Sequence, residues 1–177
     1  MDTLQLEAFV QTDKYASKYF CGVWSADHLK QFEFPPHRKA VLIVNLSARG
    51  IRGTHWVSIA WLPKKKIILY MDSLGIDPRI FKEISQFILR HTEGLYKRCH
   101  LLTNAIQYRN ARTCGLYCIL WVFQFSRGWT LKRFASLFSQ NRLNNERIIQ
   151  KWSYFLKQKG FSLDHQNSSS RNSPSTI

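Results

Sequence analysis

Hydrophobic positions change their spacing along the chain, and each change marks an element. The first stretch reads as a helix from about Leu4 to Val10, with Asp2 or Thr3 as its N-cap. A loop region follows through Cys21-Gly22 and the Pro35-Pro36 pair. Val41–Leu46 (VLIVNL) is a short, β-branched apolar run bounded by a Gly/Arg-rich loop, which predicts a buried strand. His55–Trp61 (HWVSIAW) alternates like a strand. It leads through Leu62-Pro63 and three lysines into Ile67–Met71 (IILYM), so the two strands form a hairpin, and Asp72–Gly75 ends the second one as a loop.

From Ile80 the period becomes helical, with Ile80, Ile84, Phe87 and Ile88 on one face and Lys82, Glu83 and Arg90 elsewhere. Leu101–Ile106 is read as another strand. Cys114–Phe125 (CGLYCILWVFQF) is apolar all round and too long for an ordinary strand, which predicts a buried central helix. Leu131–Phe138 reads as a short helix. Asn144 or Asn145 then caps a final amphipathic helix that turns Ile148, Ile149, Trp152, Phe155 and Leu156 inward. After Phe161 the composition shifts to Ser, Asn and Arg, too polar to bury a core, so residues 162–177 are expected to form a disordered tail. The pattern as a whole predicts one α+β domain over residues 1–161, with helices around a small central β-sheet and one helix buried.

A chain of 177 residues that is 45% hydrophobic can bury a proper core. No run approaches the ~18 apolar residues of a membrane span, and the first residues lack a secretory apolar core. The protein is therefore expected inside a cell or a particle, with no membrane contact. Four cysteines, Cys21, Cys99, Cys114 and Cys118, are too few and too irregular for a disulfide scaffold. As free thiols they are available for chemistry. Cys99, His100, Cys114 and Cys118 lack the paired spacing of a zinc site, and no metal is expected. The balance of 26 Lys+Arg against 11 Asp+Glu gives a net charge of +15. That excess suits either a solvated basic surface or sequence-independent attraction to nucleic acid, with Lys64, Lys65 and Lys66 among the clusters. No sequence-reading motif accompanies it, so such binding would be non-specific.

Candidate chemistry converges on three residues. His55 opens a strand, and Asp72 follows the next strand, where a hairpin can bring it alongside. Cys114 begins the buried helix. A helix N-terminus and a neighbouring imidazolium both favour a thiolate. An acid beside the imidazole fixes its tautomer and stabilises its charged form. Cys–His–Asp thus makes an activated nucleophile. Gln107, seven residues before Cys114, could donate its amide to an oxyanion together with the Cys114 N–H. Residue types alone also allow a structural histidine and a merely buried cysteine.

GTHWVSIAW, then LYMDSLG, then Gln107 with TCGLYC, resembles the adenovirus protease (adenain) family, relatives of the ubiquitin-like-protein proteases. YFCGVW…FPPHRKAVLIVNLSARGIRGTHW extends the resemblance, which covers roughly Leu4 to Trp129, and Trp56 matches a family tryptophan. The order His, acid, Gln, Cys is the family's. The resemblance implies an adenain-like cysteine protease fold with a small mixed sheet and the nucleophile at the start of the central helix. It also implies Cys114 as nucleophile, His55 as base and then acid, Asp72 as orienting acid and Gln107 as oxyanion donor. Asp72 stands where adenovirus enzymes often carry Glu, and either carboxylate serves. The family further implies cleavage of virion precursor proteins, after small residues in Gly-rich sites, in the virion and host nucleus. It implies non-specific DNA as a cofactor and an activating viral peptide linked through a cysteine. Cys99, in KRCHLL, is the candidate for that link, although its distance to Gln107 is shorter than in the family. A monomer is expected. Two other readings are an isopeptidase acting on ubiquitin or a related modifier, and a non-enzymatic basic DNA-binding core protein on a protease-like fold.

Overall fold

The computed structural model describes residues 1–47 and 55–158. Its spine is a five-stranded sheet in the order β1 (Phe20–Ser25), β2 (Ala40–Asn45), β3 (Trp56–Leu62), β4 (Ile67–Met71) and β5 (Cys99–Leu101). The three central strands are antiparallel, whereas β1–β2 and β4–β5 are parallel pairs, so the sheet is mixed as expected. Parallel neighbours need a crossover connection. A 3₁₀ stretch at Ala26–Gln31 lies between β1 and β2, and helix α2 (Lys82–His91) lies between β4 and β5.

Successive side chains of a strand point to opposite faces, so an unbroken apolar run must be covered on both. In β2, Val41 and Ile43 join a core with α1 (Thr3–Gln11) and α3 (Cys114–Ser126), while Leu42 and Val44 join a second core with α2. Helices α4 (Leu131–Ala135) and α5 (Arg142–Gln158) complete the first layer. Every residue of α3 except Leu116 and Gln124 is buried, as its all-round apolar sequence predicted. Trp121, fully buried, packs on Phe125 and Phe134. Asp2 is the cap of α1: its carboxylate accepts from Gln5 N–H at 2.9 Å while the Gln5 side chain accepts from Asp2 N–H at 3.0 Å.

Several boundaries differ from expectation. The stretch through Cys21-Gly22 is the edge strand β1, not a loop. An irregular register between Phe20 and Val23, with Gly22 at φ 94°, hides its alternation in the sequence. The strand expected at Leu101–Ile106 is Cys99–Leu101, because Ile106 and Gln107 both turn to donate to Ser73 O. Ile80 lies before α2 in a turn capped by Asp77 and is 68% exposed. Helix α4 stops at Ala135, with Phe138 packed against the core beyond it. Helix α5 starts at Arg142, and its first turn is capped by Asn141 Oδ1, which accepts from Leu143 and Asn144 N–H. Apolar residues surround more of α5 than the core can cover. Ile149, Trp152 and Leu156 reach it, while Ile148 and Phe155 stay exposed and Asn145 and Glu146 take buried positions. The Gly/Arg-rich loop after β2 and the expected tail at residues 162–177 lie outside the described residues. Among the described residues no helix is long and apolar enough to cross a membrane.

Candidate active site

Hairpin register brings the first two candidates together. Ser58 stands opposite Met71, so Asp72, the next residue, reaches the end of the sheet where His55 enters β3. His55 Nε2 lies 2.7 Å from Asp72 Oδ1, and both residues are buried. An ionised carboxylate only accepts, so Nε2–H is the donor. Leu74 N–H donates to the same oxygen at 2.7 Å and fixes the carboxylate in place. Burial disfavours a charged ring at His55. Its hydrogen bond to Asp72, then one to Cys114, with both groups' charges, outweigh that and hold its pKa up at about 9.

Cys114 is the first residue of α3 and lines the same groove as His55. With Nε2 committed to Asp72, Nδ1 is the ring nitrogen left for the thiol. The free N–H groups of the first helical turn and the helix dipole favour negative charge here. Gly115 lets other elements close over this turn: a Cβ there would meet side-chain atoms of Leu6 and Met1 at 3.3 Å and of Trp56 at 3.6 Å. Trp56 and Gln107 line the groove, with Arg109 and Arg112 on its rim. Helix α1 contributes Glu7, whose carboxylate accepts from Val23 N–H at 3.0 Å and so ties β1 to the groove.

Gln107 is nearly fully buried and held at both ends of its amide. Its Oε1 accepts from Ser73 Oγ at 2.6 Å, and its Nε2 donates to Ala111 O at 2.7 Å. A primary amide has two N–H bonds, and the contact with Ala111 uses one of them. Ser73 had no distinguishing mark in the sequence beyond its place after Asp72. Glu146 was equally unmarked. It comes from α5 and accepts from Tyr108 N, Thr113 Oγ1 and Tyr117 OH, around the loop that joins Gln107 to Cys114. The one available cue was an acid beside Asn145 on a helix otherwise rich in Lys and Arg.

The remaining candidates lie away from this cluster. Lys64 and Lys65 form a 3₁₀ turn at the opposite end of β3 from His55, and Lys66 pairs with Glu93. Cys99 is buried in β5, where burial and then the Asp77 charge push its thiol up to about 12. Burial likewise raises Cys21, which is half-buried in the groove wall, and Cys118, which is fully enclosed. All four thiols are free. Among the described residues no three His, Cys, Asp or Glu side chains gather as metal ligands.

Comparison with known proteins gives a consistent pattern. The sequence profile of the adenovirus endoprotease family matches residues 20–152, reaching past Trp129 into α5. The protease of Bovine adenovirus 2 is 32% identical over an alignment of 133 residues that covers 68% of this chain and 61% of that protein. The protease of Bovine adenovirus B serotype 3 is 29% identical over an alignment of 136 residues that covers 70% of this chain and 64% of that protein. The chain thus spans less than two thirds of the length of these relatives. A solved structure of the SUMO protease Ulp1, with its catalytic cysteine oxidised to a sulfinic acid, is 16% identical. It covers 92% of this chain and 79% of its own, with a TM-score of 0.50, a likeness of fold alone.

Proposed function

From this chain's membership of the adenovirus endoprotease family, we propose that it is a cysteine endopeptidase, with Cys114 as nucleophile, His55 as base and then acid, Asp72 as orienting acid and Gln107 as oxyanion donor. The observation that carries the proposal is the buried His55–Asp72 contact of 2.7 Å, with the His55 pKa raised in part by Cys114 at the start of α3. In this reading the Cys114 thiolate attacks the scissile carbonyl and the His55 imidazolium protonates the leaving amine. Neutral His55 then deprotonates the water that hydrolyses the thioester, and departure of the Cys114 thiolate restores the thiolate–imidazolium pair. The Cys114 N–H and the second Gln107 amide hydrogen receive the oxyanion.

The substrates proposed are virion precursor proteins cleaved at Gly-rich sites, in the virion and host nucleus, by a monomer. Non-specific DNA is the proposed cofactor, supported by the net charge of +15 and by the exposed Lys64 and Lys65 away from the groove. An activating peptide would link at Cys99, whose burial opposes disulfide exchange. The test compares wild type with Cys114→Ala on a capsid precursor and on an intact ubiquitin-like conjugate. Cleavage of the precursor that disappears in Cys114→Ala supports the reading, and precursor cleavage that persists in the variant overturns it. DNA affinity should fall with salt, by about 0.9 in log K per log salt for each phosphate contacted, and a flat response would remove DNA.

A further inference from the structure

The loop between Gln107 and Cys114 is fastened from one side by two consecutive buried residues of α5. Asn145, fully buried, donates from Nδ2 to Ile106 O at 2.9 Å and to Ser139 O at 2.9 Å. Glu146, 7% exposed, receives three donors: Tyr108 N–H at 3.0 Å, Thr113 Oγ1 at 2.7 Å and Tyr117 OH at 3.2 Å. Tyr108 follows Gln107 directly, and Thr113 precedes Cys114 directly. One carboxylate therefore grips both ends of the segment whose length and shape set the distance from amide to thiol.

No Lys, Arg or His pairs with Glu146 among the described residues. A buried carboxylate without a cation is costly unless its lone pairs are filled by donors, and here the loop supplies them. Hydrogen bonds to a charged acceptor are shorter and stronger than neutral ones, so such a grip is stiff. Burial, and then the Glu146 charge, push the Tyr117 phenol up, which keeps it a donor throughout the working pH range. The loop's internal bonds, Gln107 Nε2 to Ala111 O and Ala111 N to Tyr108 O, close its middle but do not anchor it to the body of the protein.

We propose that Glu146 is a positioning residue: from α5 it holds the Tyr108–Thr113 segment so that the Gln107 amide and the Cys114 thiol address one substrate carbonyl. This rests on the endopeptidase reading above. Reacting groups displaced by about 1 Å can cost about 10²-fold in rate, and the loss belongs in kcat because the loop end carries the reacting groups rather than the groove walls.

The experiment measures kcat and KM for Glu146→Ala, Glu146→Gln and Thr113→Val, at a temperature where circular dichroism shows each variant folded. Glu146→Ala should lose about 10- to 100-fold in kcat with KM within about 3-fold. Glu146→Gln should stay within about 5-fold of wild type, since its oxygen accepts from Tyr108 N–H and Tyr117 OH while Thr113 turns its hydroxyl to accept from the amide. Thr113→Val removes one donor from the loop side and should lose about 3- to 10-fold in kcat, which keeps the test decisive if Glu146→Ala does not fold. A Glu146→Ala kcat within about 3-fold of wild type, a Glu146→Gln as impaired as Glu146→Ala, or an unimpaired Thr113→Val where Glu146→Ala does not fold, would each overturn the proposal. Wild type itself separates the two readings. If it cleaves no precursor and its Cys114 is alkylated no faster than Cys21, the endopeptidase reading fails and the positioning role with it. A normal wild type beside a normal Glu146→Ala overturns the positioning role alone.

Discussion

Replacing Asp72 with Asn removes one charge from the site while leaving its shape. Both His55 Nε2 and Leu74 N–H meet the same carboxylate oxygen, each at 2.7 Å. An asparagine therefore settles with its carbonyl oxygen in that position, and the ring keeps its tautomer. What disappears is the charge. The rise of His55 from its ordinary 6.5 to about 9 corresponds to about 3 kcal/mol in favour of the imidazolium. His55 is buried, so little of this is screened by solvent, and burial already opposes the charged ring. Asp72 shares that rise with Cys114, and the amide keeps the hydrogen bond, so about 3 kcal/mol is the upper bound on the carboxylate's charge: in Asp72→Asn the His55 midpoint should fall below 9, and kcat/KM near neutral pH should fall by about 10- to 100-fold. Where the same exchange also imposes the wrong tautomer, as in serine proteases, the loss is ~10⁴. The amide nitrogen would occupy the place of Oδ2, which has no partner among the described residues, at a cost of about 1–3 kcal/mol in stability. Assays should therefore be run well below the melting temperature. Histidine titration by NMR and peptide hydrolysis read the two quantities separately. A midpoint still near 9, or a rate loss under about 5-fold, would refute the reasoning from charge; a loss of 10⁴ would assign the effect to the tautomer instead.

Other consequences follow from the same geometry. Because the folded pKa of His55 is raised, its contribution to stability is complete below about 6.5 and is lost as pH rises through about 9, by about 3 kcal/mol. Denaturant unfolding at pH 6 and pH 10 should show that loss, and His55→Ala should reduce the difference. The rate should also decline above pH 9, as the acid that protonates the leaving amine is neutralised; a rate that climbs steadily past pH 10 would contradict this. Gly75 and Gly94 both have positive φ, at 68° and 75°, but a Cβ on Gly75 would lie 2.8 Å from Ala105 N whereas one on Gly94 meets nothing within 4 Å. Gly94→Ala should cost about 1–2 kcal/mol from the left-handed backbone alone. Gly75→Ala should lower the melting temperature further, and it should reduce kcat by shifting the segment that carries Gln107. Equal losses in the two variants would count against that close approach.

How much was legible in the sequence depended on whether a segment's partners lie nearby in the chain. The β3–β4 hairpin, with His55 before it and Asp72 after it, needs only its own alternation and a lysine-rich turn, and it was legible. So was α3, whose apolar residues on every side leave no exposed alternative. Strand β1 was not legible, because Gly22 and the irregular register beside it break the period, and only pairing with distant β2 makes it a strand. The exposed Ile148 and Phe155 of α5 depart from expectation for a related reason: apolarity shows what can be buried, not which side meets a core. Glu146 and Ser73 escaped because an isolated acid or serine takes its role from neighbours 33 and 34 residues away, at Thr113 and Gln107. Gln107 could be nominated from its resemblance, but the two bonds that fix its amide needed the fold.

The most direct test of the Cys114–His55 pair is brief alkylation of the folded protein with limiting iodoacetamide near pH 6, mapping each cysteine by mass spectrometry. Burial raises Cys21, Cys99 and Cys118, so these thiols should stay nearly inert. Cys114 should be labelled first, and His55→Ala should abolish its lead. Labelling led by Cys21 or spread evenly over the four, or a Cys114 lead that survives His55→Ala, would contradict an activated thiol held by this histidine.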